Sequence, residues 1–120
     1  RYPQIDEAPA TLSKTVMELI RDDLGFDGLI MTDDISMKAL QGDLGDLSRA
    51  ALAAGCDVIL HCNGTLAERR AVAEAAGEMS ETAQARAEKA LSQRITPSDV
   101  DISALEAELE ALLNGRVYAS

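Results

Sequence analysis

Leu24-Gly25-Phe26-Asp27-Gly28-Leu29-Ile30-Met31-Thr32-Asp33-Asp34-Ile35-Ser36-Met37 is the stretch on which the reading of this chain turns. It has the form of a short apolar strand, entered through a glycine turn and left through two carboxylates. A strand buried in a parallel sheet is a nearly continuous hydrophobic run, and Gly28-Leu29-Ile30-Met31 fits that description. Parallel α/β folds place their active sites just beyond the C-terminal ends of such strands. Asp33 and Asp34 stand at that position and are therefore nominated for chemistry. The plainer alternative, which spacing alone leaves open, is a solvated turn in which Asp34 caps the next helix.

Outward from this strand, helical and extended patterns alternate. The spacing of Leu12, Val16, Leu19, Ile20 and Leu24 predicts a helix from Thr11 to Leu24, with Ser13 as N-cap and Gly25 as terminator. Leu29 to Thr32 is the first strand. Asp34 to Leu40 reads as a short helical turn, and Gly42 to Asp46 as a polar loop. A small helix from Leu47 to Ala54 ends at Gly55, and Asp57 to Cys62 is a second strand leaving through Asn63-Gly64. Thr65 caps a helix from Leu66 to Met79. Two more run from Glu81 to Gln93 and from Ser103 to Asn114, the last closed by Gly115. Strands alternating with helices make an α/β fold with parallel βαβ units.

Composition narrows the function classes. Of 120 residues, 47% are hydrophobic but only 2% aromatic, so the core is aliphatic. Eleven basic against twenty-one acidic residues give a net charge of −10, which repels phosphate backbones. No basic stripe or aromatic platform is present, so a nucleic-acid partner is not expected. Nothing approaches the roughly 20 apolar residues that span a bilayer, so no membrane partner is expected either. Cys56 and Cys62, read on one strand at ~3.3 Å per residue, lie about 20 Å apart. That exceeds disulfide reach and implies free thiols of a reducing compartment. His61 with two cysteines has no metal-ligand spacing, so no metal is expected.

The pattern Gly25-Phe26-x-Gly28, three apolar positions, then Thr32-Asp33-Asp34-Ile35-Ser36-Met37 resembles the nucleophile strand of family-three glycoside hydrolases, in their bacterial β-N-acetylglucosaminidase branch. Two flanking segments agree with it. Tyr2-Pro3-Gln4-Ile5-Asp6 with Pro9-Ala10-Thr11-Leu12-Ser13 looks like the loop before the preceding helix, and Ala54-Gly55-Cys56-Asp57-Val58-Ile59-Leu60 with Cys62-Asn63 looks like the final barrel strand. The resemblance covers about residues 1 to 75. It implies the C-terminal part of a TIM-type (β/α) barrel with extra C-terminal helices, because a whole barrel needs about 250 residues. Residues 1–95 would carry the nucleophile strand and last strand, and residues 96–120 a helical tail. The edges of two isolated parallel strands call for a partner, either the rest of the barrel or another copy of the chain.

What the resemblance implies for chemistry is a retaining glycosidase acting on terminal β-linked N-acetylglucosamine of cell-wall muropeptides. It implies a cytoplasmic enzyme working on a carbohydrate substrate without a cofactor. Asp33 would be the nucleophile and Asp34 a supporting group that orients a loop, caps a helix or tunes Asp33. Asn63, at the barrel mouth, and Met37, as a pocket floor, are the further substrate-binding candidates beside Asp34; each has a packing alternative. Tyr2 is a weaker one. In this branch the acid/base is a histidine paired with an aspartate on an earlier loop, and no such motif is present here. His61 reads as a core or barrel-wall residue and not as its substitute, so the isolated chain is expected to be inactive. Arg69-Arg70 reads as a solvated face, and Leu105, Leu109, Leu112 and Leu113 as an amphipathic packing or oligomer face.

Two rival classes compete with this reading. Receiver domains also hold acidic pairs at a strand tip, but they need a third carboxylate and a later strand-tip lysine. Asn63 stands at the other tip and no matching lysine is found. The stronger rival is a non-catalytic, truncated barrel half that serves as an oligomerising assembly module. The intact Thr32-Asp33-Asp34 tip argues against degeneracy.

Overall fold

A computed structural model of the chain describes residues 2–113. After a 3₁₀ turn at Ala10–Leu12, helix α1 spans Lys14–Glu18 and continues as a π-helical segment over Leu19–Asp23. Strand β1 is Met31–Asp34, α2 Leu44–Ala54, β2 Val58–Leu60, α3 Leu66–Ala76, α4 Glu81–Ser92 and α5 Ile102–Leu112. β1 and β2 pair in parallel as a two-stranded sheet, with α2 as the crossover.

The helix ends follow local chemistry. Ser13 Oγ accepts from the Val16 N–H at 3.1 Å and donates to Asp6 Oδ2 at 2.5 Å, tying α1 to the N-terminal loop. Gly25 turns the chain at φ +66°, where a side chain would be strained. α2 begins three residues before the expected Leu47, because Asp43 Oδ1 accepts from Gly45 and Asp46 N–H groups (2.9 and 3.1 Å) and recruits the supposed loop into the helix. α3 stops at Gly77 rather than Met79. Asp34 to Leu40 is not helical. It makes two tight turns, closed by Met37 N–H to Asp34 O and Leu40 N–H to Met37 O, each 3.0 Å. The expected closure of the last helix by Asn114 and Gly115 lies outside the described residues.

α3 carries a complete capping box. Thr65 Oγ1 accepts from the Glu68 N–H, and Glu68 Oε2 accepts from the Thr65 N–H at 2.6 Å. Thr65→Ala is expected to cost about 1 kcal/mol, read as a lowered urea midpoint with an unchanged slope.

Both strands are shifted or shortened relative to expectation, and side chains take up the backbone groups at the start of β1. The Gly28 carbonyl accepts from Arg21 at 2.6 Å, and the Ile30 N–H donates to Asp57 Oδ2 at 2.8 Å. These backbone groups are satisfied by side chains, so the ladder starts at Met31 instead of Leu29. Asp57 is the hub of this end of the sheet. Its two oxygens pair with Arg21 and Arg86, each at 2.7 Å, and its side chain is only 6% exposed. Arg86 thereby pins α4 to the N-terminal ends of the strands.

The core lies on one face of the sheet. Met17, Ile35, Leu47, Ala51, Ala54, Cys56 and Val72 form it, with Ile30 and Ile59 packed against it. Along β1, Met31 is exposed, Thr32 buried and Asp33 exposed again. The opposite face of the sheet is therefore open along β1, while Val58, Ile59 and Leu60 of β2 are all half-buried. α5 has no buried residue, and Ile102, Leu105, Leu109 and Leu112 are exposed along it. No helix among the described residues is long and apolar enough to cross a membrane.

Candidate active site

The site is built at the C-terminal tips of the two strands. Register sets its geometry. Met31 pairs with Val58 and Asp34 with Leu60, so three steps on β1 oppose two on β2. At this bulge Thr32 Oγ1 accepts the Leu60 N–H at 2.9 Å, and Leu60 O accepts the Ile35 N–H at 2.9 Å. A bulge bends a strand and re-aims the side chains beside it. Buried Thr32 and fully buried Ile35 clamp the strand on either side of the carboxylates.

The two carboxylates, expected just past the strand, are its last two residues and have different surroundings. Asp33 is exposed, on the open face, and its Oδ1 accepts the Asp34 N–H at 2.8 Å. Asp34 turns instead toward β2. Its carboxylate accepts from the Ser36 N–H (3.1 Å), the Ser36 hydroxyl (2.8 Å) and the Cys62 N–H (3.3 Å). His61 Nδ1 lies 3.6 Å from Asp34 Oδ1. Asp34 thus joins the exit of one strand to the exit of the other, while Asp33 faces the solvent side.

The Ser36 N–H and hydroxyl, followed by the Cys62 N–H and His61, hold the Asp34 carboxyl below its ordinary value of 3.8, against the opposing effect of burial. A depressed folded-state pKa stabilises the fold above the ordinary value, and that contribution is lost as pH falls through the folded value. A stability gap between wild type and Asp34→Asn is therefore expected in urea unfolding above the ordinary carboxyl value. It should close below about pH 4.

The remaining candidates are scattered around the rim. Asn63 is exposed, three residues past the end of β2. Met37 is partly exposed and sits in the turns after β1. Tyr2 is exposed and closes a short turn with Asp6. Arg69, read as part of a solvated face, borders a pocket of about 310 Å³ with Ile59, His61, Val72, Ala73 and Ala76. Cys56 is buried and Cys62 exposed, and both are free thiols. Burial pushes the Cys56 thiol above its usual range. Among the described residues no three His, Cys, Asp or Glu side chains converge as a metal site.

Sequence reading missed the proximity of His61 to Asp34 and the Arg21–Asp57–Arg86 network. The first had a usable signal, since both residues exit neighbouring parallel strands. The second joins positions 36 and 29 residues apart and had none.

Comparison with known proteins identifies the family of the chain. The family described as "Glycosyl hydrolase family 3 N terminal domain" matches residues 1–97. A β-hexosaminidase of Hydrogenovibrio crunogenus is 39% identical over 89 residues, which is 72% of this chain and 25% of that protein. One from Pseudomonas aeruginosa is 44% identical over 75 residues (60% and 23%). One from Bordetella avium is 43% identical over 65 residues (52% and 19%). The chain spans about a fifth to a quarter of the length of these relatives. It belongs to glycosyl hydrolase family 3, within the N-terminal domain of that family.

Proposed function

We propose that this chain is the nucleophile-bearing part of a retaining glycoside hydrolase that removes terminal β-linked N-acetylglucosamine. The observation that carries the proposal is the division of labour at the tip of β1. Asp34 is engaged by Ser36, Cys62 and the neighbourhood of His61, whereas Asp33 stands on the open face with one oxygen oriented by a backbone N–H. A retaining glycosidase needs one ionised carboxylate against the anomeric carbon and a separate acid for the leaving oxygen. Asp33 would attack through Oδ2 while the Asp34 N–H holds Oδ1. Water then hydrolyses the glycosyl ester, with the acid acting as base.

The acid/base and the groups reading the acetamido substituent come from segments preceding this one in a (β/α) barrel. In this arrangement residues 1–95 supply the last two strands and 96–120 a helical tail. Asn63 and Met37 flank the sugar, and Asp34 supports the nucleophile. The open sheet face and free edges are where the rest of the barrel seats. The Cα radius of gyration, 19.1 Å, exceeds the roughly 13–14 Å of a compact 120-residue domain, which fits a part shaped by its surroundings. The names of the relatives support the hexosaminidase reading; a place in cytoplasmic muropeptide recycling, without a cofactor, is part of the same proposal.

The test is hydrolysis of an aryl β-N-acetylglucosaminide by the complete enzyme. Release of the aryl group with the β-anomer as first product is expected. No cleavage, or an α-anomer as first product, contradicts the proposal.

A further inference from the structure

His61 follows β2 directly, and its imidazole is buried, with 6% of the side chain exposed. Among the described residues neither Nδ1 nor Nε2 has a hydrogen-bond partner. An imidazole carries a proton on at least one nitrogen, and a buried donor left unpaired is costly. Among the described residues, three charged groups lie around the ring. Asp34 reaches it from β1, with Oδ1 3.6 Å from Nδ1. Glu68 and Arg69 come from α3, Glu68 turned into its capping box with Thr65 and Arg69 across the adjoining pocket. On the other side of the ring, Gly64 lies so close that a Cβ there would overlap Nε2. Nε2 is therefore walled in by the chain, and Nδ1 looks toward a carboxylate.

We propose that His61 is a positioning residue of the β1 tip, its Nδ1–H directed at the Asp34 carboxylate. The inference rests on Asp33 being the nucleophile, and the linkage to it is short. His61 Nδ1 faces Asp34 Oδ1 at 3.6 Å, and the Asp34 backbone N–H donates to Asp33 Oδ1 at 2.8 Å. A shift of a few tenths of an ångström brings Nδ1 within hydrogen-bond range of Oδ1. The pocket of about 310 Å³ beside the ring gives it room to move. Gly64 keeps space for the ring, so Gly64→Ala should displace the imidazole without removing it. His61 is not a catalytic residue in this scheme, since it acts through Asp34.

The test uses the complete enzyme and two independent readouts. His61→Val keeps an apolar wall but removes the donor, and His61→Asn places an amide N–H near the position of Nδ1. For His61→Val a fall in kcat of about ten- to a hundredfold is expected with KM little changed, and His61→Asn should recover most of it. Nitrogen-15 NMR of the histidine ring is expected to find the proton on Nδ1, and Asp34→Ala to abolish that preference. Full kcat in His61→Val, or a proton resident on Nε2, overturns the proposal. If His61→Val does not fold, the tautomer and the His61→Asn kinetics decide. If the wild-type enzyme cleaves no glycoside, the glycosidase reading fails, and the NMR still judges the His61–Asp34 pair.

Discussion

Asp33→Ala in the complete enzyme is expected to lower kcat on an aryl β-N-acetylglucosaminide by on the order of a thousandfold or more, as loss of an essential nucleophile does elsewhere. The size of the effect follows from what the residue does. On the proposed mechanism no covalent intermediate forms without it, and among the described residues the adjacent carboxylate is not placed to take over. Asp34 is adjacent in sequence, but at the bulge it turns toward Ser36 and Cys62. Asp33 is exposed and, among the described residues, accepts one local hydrogen bond, from the Asp34 N–H. Its removal is therefore expected to move folding stability by less than about 0.5 kcal/mol, so lost turnover cannot be ascribed to unfolding. Activity within tenfold of wild type would remove Asp33 from the mechanism.

The largest expected effect on stability lies at the opposite end of the strands. Asp57→Ala leaves Arg21, whose side chain is 15% exposed, without its counter-charge, and releases Arg86 of α4 and the Ile30 N–H as well. Breaking a buried pair by removing one partner costs about 3–5 kcal/mol, because the remaining charge stays buried. A typical domain has only 5–15 kcal/mol in total, so the urea midpoint should fall by a large fraction. Arg86→Ala is expected to cost less, since that arginine is more exposed and Arg21 still satisfies Asp57. Equal midpoints for wild type and Asp57→Ala would show that the network is not holding the sheet.

What was legible in the sequence was local. Ser13 and Thr65 cap helices as read, and Gly25 and Gly55 end them, because caps and left-handed turns depend on residues within one turn. The parallel pairing of the two strands was legible from their alternation with helices. Strand limits were not, because Arg21 and Asp57 satisfy backbone groups of Gly28 and Ile30 from far along the chain. The start of α2 was lost for a different reason. Gly42 and Gly45 punctuate like a loop, yet Asp43 gathers the N–H groups of Gly45 and Asp46 into a helix start. The acidic tip was visible as a pair, but the division between an outward Asp33 and an engaged Asp34 depends on the bulge and on His61 across the sheet.

The most direct measurement of the central claim is to map a trapped intermediate. The complete enzyme would be incubated with a slowly hydrolysed fluorinated N-acetylglucosaminide, quenched, digested and sequenced by mass spectrometry. A glycosyl ester on Asp33 is the expected result. Turnover of the probe with the sugar attached to another residue, or attached to none, would contradict it.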